Sequence, residues 1–289
     1  MKCWSSVGVG LVLVASGFLA LTTAGCGGAA QSTEGAATAT PTQESQGGRL
    51  TASQGQTPAA GKGMAAIQQA AEAGKYLFIF FSKAEDEQSL AMRKVFDTAV
   101  QKAADRANGI MVDITDTTEK AIVEKFDLQR APMPLVLALA PNGAITGGFP
   151  SKFEEKQLLD AFVSPATEQC MKSLQDGKLV FLCIHNATTK SNDAAIKGVN
   201  DFKADERFGH ATTVIALDPT DKKEAAFLAD LQVAPEITEA TTVFLVPPGR
   251  PVAKYEGATE KQTLVDTLSK ANTGCGPGGC GPGGCCPAK

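Results

Sequence analysis

Four cysteines stand near the C-terminus, on a segment otherwise made almost only of glycine and proline. They are Cys275, Cys280, Cys285 and Cys286. Four thiolates satisfy the tetrahedral coordination of a soft ion such as zinc or copper(I), and glycine imposes little steric cost on a chain that wraps an ion. The first two steps each have four intervening residues, which is at the edge of zinc-site spacing. The segment therefore predicts bound Zn or Cu, disulfide or crosslink chemistry, or a low-complexity end without a specific role.

Two further cysteines lie within apolar patterns. Cys183 falls in a run of strand length, where it should behave as a small apolar residue, and Cys170 falls in the helical pattern just before it. A disulfide between them is the alternative in an oxidising compartment, and it requires the two Cα atoms to lie within about 7 Å of each other.

The first 26 residues have the pattern of an export signal. Lys2 supplies a positive start, residues 7–21 are apolar or small, and a run of small residues ends in Cys26. This resembles a bacterial lipoprotein signal, in which that cysteine is lipid-modified, although Thr23 stands where such signals usually have leucine. Cleavage near Ala24 without lipidation and an uncleaved anchor are the alternatives. A spanning helix is disfavoured because the apolar core is about 15 residues long, shorter than the roughly 20 that cross a bilayer.

Residues 27–63 carry almost no large apolar side chain and are rich in Gly, Ala, Ser, Thr and Gln. Such a segment cannot bury enough surface to offset its ordering entropy, so it predicts a flexible tether. We therefore expect an exported protein of the cell envelope, in the periplasm or on the outer surface, held at a membrane by an N-terminal lipid or signal anchor. The net charge of -4 implies no nucleic-acid partner.

An internal repeat divides the remaining chain into two copies. The segment that starts at Gly74 recurs from Gly177, which is 103 residues later, and residues 128–132 recur at 231–235 with the same separation. A third match, between residues 158–160 and 264–266, has a separation of 106. A duplication with a three-residue insertion explains all three matches. The predicted organisation is a signal at 1–26, a tether at 27–63, domains at 64–163 and 164–272, and a tail at 273–289.

Each copy alternates short β-rich runs with helical patterns. The continuous apolar run at 76–81 suits a strand buried on both faces, and an apolar stripe from Leu90 to Ala103 predicts a helix that covers the sheet. Asn142 and Gly143 indicate a hairpin turn. Parallel strands joined by helices, then a hairpin and a last helix, predict for each copy an α/β domain with a central mixed sheet flanked by helices. Strands are predicted at 76–81, 110–114, 135–139 and 144–149, and again at 179–184, 212–217, 242–246 and 252–255.

This order resembles the thioredoxin fold. The resemblance is carried by the strand that ends in Phe80-Phe81-Ser82 before a long helix, by the Met133-Pro134 step and by the hairpin turn after it. It covers residues 64–163 directly and 165–271 through the repeat. It implies that Pro134 is the cis-proline that the family keeps beside its active site, and that the second copy, with Ala240 at the equivalent position, has a trans bond there.

In active members of that family a Cys-x-x-Cys pair stands where the first strand meets its helix, and the helix N-terminus lowers the thiol pKa. Neither copy has a cysteine there, and the second copy has a loop that starts at His185. Acidic residues are favoured at a helix start, so a helix-capping turn is the favoured interpretation of the first loop and a cation-holding or binding site is the alternative. His185 is either a hydrogen-bonded structural residue or a proton donor or metal ligand. The degenerate loop of the first copy contains Glu85, Asp86, Glu87, Gln88 and Ser89.

These patterns predict a non-catalytic envelope protein that binds a protein partner or acts as a scaffold. Without a thiolate at either helix start, neither domain has the nucleophile of disulfide exchange. Two alternatives use the C-terminal cysteines, one as redox thiols that dock onto a domain and one as a Zn or Cu site. The sequence contains no Walker loop, no dinucleotide-binding glycine motif and no paired-histidine metalloprotease motif.

Overall fold

The computed structural model describes residues 61–273, and these form two α/β domains, each built around a four-stranded sheet. The sequence prediction of two α/β domains is confirmed. The first domain contains α1 (Lys62–Glu72), β1 (Tyr76–Ser82), α2 (Glu87–Lys102), β2 (Ala107–Asp113), α3 (Lys120–Lys125), β3 (Leu135–Leu139), β4 (Ile145–Pro150) and α4 (Glu155–Leu159). The second contains α5 (Pro165–Gln175), β5 (Leu179–Ile184), α6 (Asn192–Lys203), β6 (Thr212–Leu217), α7 (Ala225–Asp230), β7 (Thr241–Val246), β8 (Arg250–Glu256) and α8 (Lys261–Thr273).

The two sheets share one topology. The strand order is β2-β1-β3-β4 in the first sheet and β6-β5-β7-β8 in the second. In each sheet the first two strands are parallel, while the remaining two pairings are antiparallel. The parallel pair needs a crossover, which α2 and α6 provide, and in the first sheet β3 and β4 form the hairpin that the Asn142-Gly143 turn predicts.

Both faces of each sheet are covered by helices. Alternate residues of β1 point to opposite faces, so Phe78 packs with Phe96 of α2 on one face while Ile79 packs with Ile122 of α3 on the other. The second sheet repeats this arrangement, with Phe181 packed against Phe202 of α6. The inner strands β1, β3, β5 and β7 are apolar on both faces because neither of their faces meets water.

A buried glutamate fixes the first helix of each domain. Glu119 is 4% exposed, and its Oε2 accepts a hydrogen bond from the backbone N–H of Gly63 at 3.0 Å, within the first turn of α1. Glu224 is 5% exposed and accepts from the N–H of Ala166 at 3.1 Å, and from the hydroxyl of Ser164, at the start of α5. A carboxylate is favoured there because the first N–H groups of a helix have no intrahelical partner and carry partial positive charge.

Several element boundaries differ from the sequence prediction. Helix α1 begins at Lys62, within the segment assigned to the tether, and no helix was predicted there. The last helix predicted for the first copy is short, confined to Glu155–Leu159, with a capping box between Glu154 and Gln157 at its start. Leu90 is 46% exposed instead of covering the sheet, because the buried line of α2 runs through Ser89, Phe96 and Ala99.

The two domains contact each other through α5. The phenol of Tyr76 in β1 donates to Glu168 Oε1 at 2.5 Å and accepts from the N–H of Val163 at 3.1 Å. Burial raises the pKa of both Tyr76 and Glu168. Gln175, at the end of α5, exchanges two hydrogen bonds with the backbone of Ile145 in β4, at 2.9 and 2.7 Å. In residues 61–273 no helix is both long and apolar enough to cross a membrane.

Candidate functional site

The candidate site is the pair of corners at which the first strand of each domain meets its helix. We call residues 82–90 with Pro134 and Ser151 the first corner, and residues 185–192 with residues 238–240 the second corner. Equivalent strands and helices build both, so any chemical difference between them comes from side chains and loops.

Asp86 caps α2 at the first corner. Its Oδ1 accepts a hydrogen bond from the backbone N–H of Ser89 at 2.7 Å, and its backbone is extended, as expected of an N-cap residue. Hydrogen bonds from the backbone and side chain of Ser89 hold the pKa of Asp86 below its usual range. The neighbouring Glu85 points to solvent with its side chain 85% exposed, 4.0 Å from the guanidinium of Arg93. This geometry is that of a helix cap with an exposed acidic neighbour.

Three chain segments converge at the first corner. The side-chain amide of Gln88 donates to the carbonyl oxygen of Ser151 at 2.9 Å, and the N–H of Ser151 donates to the carbonyl oxygen of Pro134 at 2.6 Å. The Met133–Pro134 peptide bond is cis, and Pro134 is buried. The start of α2, the loop before β3 and the end of β4 therefore form one continuous surface, with Leu90 exposed in the first turn of the helix.

The second corner is closed by a partly buried network of polar side chains. The hydroxyl of Thr189, a residue that is 7% exposed, accepts from the N–H of Asn186 at 2.9 Å and lies 2.7 Å from Asn192 Oδ1. The side-chain amide of Asn192 donates back to the carbonyl oxygen of Asn186 at 2.7 Å. Asn186 Oδ1 also accepts from both the N–H and the hydroxyl of Thr188, at 2.9 and 2.7 Å.

The loop before β7 seals the second corner from outside. The N–H of Lys190 donates to Thr238 O and the N–H of Ala240 donates to Lys190 O, both at 2.9 Å. The hydroxyl of Ser191 adds a bond to Glu239 Oε2 at 2.8 Å. The cis bonds of residues 61–273 are Met133–Pro134 and Pro247–Pro248, so the equivalent bond of the second domain, Glu239–Ala240, is trans. Hydrogen bonds therefore hold the loop of the second corner in place, whereas the equivalent surface of the first corner is exposed.

His185 and the two internal cysteines lie within the second domain. His185 is half-buried at the end of β5, and its backbone N–H donates to Leu217 O at 2.9 Å. Cys170 and Cys183 are free thiols on opposite faces of the second sheet, one packed with α7 and the other with α6, so they do not form a disulfide. Burial raises the pKa of Cys170 to about 12 and that of Cys183 to about 11. Neither supplies a thiolate at neutral pH.

The acidic residues of the first corner do not converge on a common point. Glu85 faces solvent and Arg93, while Asp86 is turned toward the backbone of its own helix. Over residues 61–273, no group of three or more His, Cys, Asp or Glu side chains is placed to hold a metal ion. The remaining predicted site residues, Cys26 and the cysteines at 275, 280, 285 and 286, lie outside the described residues.

Sequence reasoning missed the residues that most distinguish the two corners. Thr189 and Asn192 were not singled out, although an Asn three residues before a Thr, as at Asn186, is typical of a local side-chain-to-backbone turn. The buried pair Glu119 and Glu224 was also missed. The only sequence signal for that pair is a glutamate shortly before the third helix in each copy.

Comparison with known proteins gives structural likeness only. No family model matches the chain, and no curated protein matches it. Among solved structures, the zinc-bound form of human ERp44 is 10% identical with a TM-score of 0.31, and the match covers 74% of this chain and 60% of that one. The first two thioredoxin domains of Saccharomyces cerevisiae Eps1p are 9% identical with a TM-score of 0.27, covering 70% of this chain and 94% of that one. The N-terminal domain of the alkylhydroperoxide reductase AhpF from Enterococcus faecalis is 16% identical with a TM-score of 0.23, covering 71% of this chain and 98% of that one.

Likeness at this level of identity assigns no activity, and the fold rests on the architecture itself. Each domain has a first strand parallel to its outer neighbour and antiparallel to the hairpin, with helices on both faces. The first domain adds a cis-proline immediately before the hairpin, beside the N-terminus of α2. Residues 61–273 therefore form two thioredoxin-like domains in tandem.

Proposed function

We propose that this chain is an exported, membrane-anchored and non-catalytic member of the thioredoxin-like fold class, which binds a protein partner of the cell envelope through its first domain. The observation that carries the proposal is the chemistry of the two corners. Where a redox-active domain of this fold needs a thiolate, the first corner offers a capping carboxylate, an amide and an exposed leucine. The second offers a closed network of hydroxyls and amides.

The two thiols within residues 61–273 support the same conclusion. Cys170 and Cys183 are buried, and their raised pKa values leave them protonated at neutral pH. Thiol–disulfide exchange requires an accessible thiolate, so these two residues cannot replace a Cys-x-x-Cys pair. What the first corner retains is a surface suited to binding, with an apolar side chain next to charged and hydrogen-bonding groups.

An insulin-reduction assay tests the absence of redox catalysis. We compare the chain from residue 27 to 289 with a version that ends at residue 273, each with a chemical reductant as electron source. The expected result is a background rate for the truncated protein. A rate above background in the truncated protein would overturn the proposal, because the buried thiols or the corners would then be doing chemistry. A rate present only in the longer protein would assign redox chemistry to the C-terminal cysteines and also contradict the proposal.

The position of the partner surface is tested by site-specific photocrosslinking in cells that produce the protein. A photoreactive side chain at Leu90 should give a discrete protein adduct, since that side chain is exposed at the first corner. The matched control is Ala187, which is exposed at the second corner. Adducts at both positions with equal yield, or at Ala187 alone, would contradict the assignment of the surface to the first domain.

The anchor is tested by fractionation. Cys26→Ser should move the protein from the membrane fraction to the soluble fraction if a lipid on Cys26 holds it. An unchanged distribution would show that the anchor is not a lipid on this residue.

A further inference from the structure

The outer edge of the first sheet carries an unfilled groove. Strand β2 is an edge strand, and its residue Met111 is 43% exposed, although large apolar side chains are usually buried. Next to it, Phe96 and Val100 of α2 and Gly109 of β2 line a groove of about 450 Å³. In the part of the chain that the structure describes, Met111 and Leu90 are the exposed large apolar residues.

The second domain has different side chains at the equivalent positions of its edge strand. In register, Gly109 lies opposite Phe78 and Met111 opposite Phe80, while Val214 lies opposite Phe181 and Ala216 opposite Cys183. Val214 packs against the core on the α6 side of β6, and the exposed position next to it is only an alanine. In the first domain Val100 and Phe96 of α2 pack so closely over Gly109 that a Cβ there would lie 2.7 Å from Val100 Cγ2, and a methionine protrudes where the second domain has alanine.

The backbone of β2 can pair with another strand. The N–H of Tyr76 donates to Arg106 O at 3.0 Å and the N–H of Ile114 donates to Ser82 O at 2.9 Å. In a parallel ladder this pattern assigns the even-numbered residues of β2 to β1 and turns the backbone groups of Gly109, Met111 and Asp113 toward the open edge. Edge strands are usually protected by proline, lysine or a covering loop, and β2 contains neither proline nor lysine.

We propose that a second copy of this chain docks on this edge, with the two β2 strands antiparallel and centred on Ile110. Side chains alternate between the two faces of a strand, so two residues that lie opposite each other must both be odd-numbered or both even-numbered. Any other register would turn the two sheets in opposite directions. Centring on Ile110 places Met111 of each copy opposite Gly109 of the other. Each methionine then lies over the groove between Phe96 and Val100 of its partner, and the two copies exchange backbone hydrogen bonds at Gly109 and Met111.

Charge complements this register. The start of β2 is next to Arg106 and Lys75, and Lys75 Nζ donates to the carbonyl oxygen of Ala104. The end of β2 carries Asp113, with Asp116 following it. An antiparallel pair centred on Ile110 brings Asp113 of one copy opposite Ala107 of the other, beside Arg106, so the acidic end of each strand meets the basic end of its partner.

Two segments outside the described residues, 27–60 and 274–289, do not suit the groove. Residues 27–60 contain Leu50 as their single large apolar residue, and residues 274–289 consist of Gly, Pro, Cys, Ala and Lys. A second copy instead offers a methionine at the required register and a strand of matching length.

Sedimentation velocity tests the association. The chain from residue 27 to 289, in reducing buffer, should shift from monomer toward dimer as its concentration rises to about 500 µM, because a contact limited to one strand edge belongs to the weak class of interfaces. Met111→Lys should weaken the association about tenfold or more, because an edge lysine opposes strand pairing. The matched control is Ala216→Lys, which places the same charge at the equivalent exposed position of β6 and should leave the association unchanged.

A cysteine at the centre of the pair tests the register. In the proposed geometry the two Ile110 residues form a non-hydrogen-bonded pair about 4.5 Å apart at Cα, within disulfide range. Ile110→Cys should therefore give, after mild oxidation, a peptide in which residue 110 is linked to residue 110 of a second chain, identified by mass spectrometry. Absence of that peptide, a monomer at all concentrations, or equal effects of Met111→Lys and Ala216→Lys would each overturn the proposal.

Hydrogen exchange distinguishes a second copy of the chain from residues 27–60 as the group that covers the edge of β2. At low concentration, where the protein is a monomer, the amides of residues 109–113 should exchange at the same rate with and without residues 27–60. Protection that is lost on deleting residues 27–60 would assign the edge to that segment and overturn the proposal. The outcome is independent of the partner proposed for the first corner.

Discussion

The two corners show how one duplicated fold has been used in two ways. At the second corner Thr189, Asn186 and Asn192 satisfy one another, and the loop before β7 bonds to Lys190 from outside. At the first corner the corresponding positions are joined by a cap and two bridging bonds, and Leu90 remains exposed. Because the strands and helices beneath are equivalent, the difference lies in the loops. The second corner is built for stability and the first keeps a surface available.

The largest effect should come from restoring sulfur to the open corner. Asp86 is the N-cap of α2 and Ser89 lies in its first turn, so Asp86→Cys with Ser89→Cys creates the spacing that redox-active domains of this fold use. In the protein ending at residue 273, we expect insulin reduction to rise from background to a measurable rate. The helix N-terminus should also lower the pKa of the thiol at residue 86 below its usual value of about 8.5, which the pH dependence of alkylation measures.

The matched control for that experiment is Ser191→Cys with Ala194→Cys at the second corner. Ser191 has a positive φ of 60° and is bonded to Glu239, and the loop before β7 covers this corner. We expect no insulin reduction from this pair. Activity from both pairs would show that the two corners are equally open, which would break the comparison.

The second prediction concerns the buried glutamate that binds the first helix in each of the two domains. Glu224→Ala removes a buried acceptor from Ala166 N–H and the Ser164 hydroxyl, and should lower the free energy of unfolding by about 3 kcal/mol. Glu119→Ala removes one such bond, to Gly63, and should cost about 2 kcal/mol. Urea denaturation followed by circular dichroism measures both, with the exposed Glu236→Ala as a control that should change little. If Glu119→Ala were as mild as Glu236→Ala, the carboxylate would not be fixing α1.

The third prediction compares how much the hydrogen bonds of each corner contribute to the free energy of unfolding. Thr189→Val keeps the shape of the side chain but leaves the N–H of Asn186 without its acceptor, and should cost about 1–3 kcal/mol of unfolding free energy. Gln88→Ala removes a half-buried bond to Ser151 and should cost about 0.5–1.5 kcal/mol. The same urea titration measures both variants. A larger cost for Gln88→Ala would reverse the assignment of the second corner as the closed one.

The local pattern of residue types was enough to predict the strands. The helix that was missed is one whose start contacts a residue far along the chain. Strands at 135–139, 179–184 and 212–217 match the structure residue for residue, since each is a short run of apolar and β-branched residues. Helix α1 was missed because its Ala- and Gln-rich sequence resembles the tether, and the carboxylate that binds its first turn, that of Glu119, lies 56 positions away from Gly63 along the chain. A pattern confined to a short stretch of sequence carries no information about a hydrogen bond between residues so far apart.

The sequence was sufficient to predict that both corners lack cysteine, but it did not predict how the side chains at the corners are arranged. The lack of cysteine at both corners is readable from the sequence once the repeat is seen. That Asp86 turns toward Ser89 while Glu85 turns to solvent depends on the backbone path of residues 83–86. The buried line of α2 passes through Ser89 instead of Leu90, which is why a stripe judged by residue type alone placed the leucine in the core. Polar residues on a buried line escape a search for apolar periodicity.

The smallest expected effect is a difference in acid sensitivity between the corners. Asp86 caps α2 with its carboxylate, whereas Ser191, the N-cap of α6, makes no side-chain capping bond. The pKa of Asp86 is lowered in the folded protein by its bonds from Ser89. A carboxylate with a depressed pKa stabilises the fold above its unfolded pKa, about 3.9, and this contribution is lost as the pH falls through the folded value. Asp86→Asn keeps an acceptor oxygen but cannot titrate, so wild type should exceed it in urea midpoint at pH 7, and the difference should shrink toward zero as the pH falls below about 4. A difference that stays constant from neutral to acidic pH would mean that the charge of Asp86 contributes nothing to the cap and that the two corners start their helices in the same way.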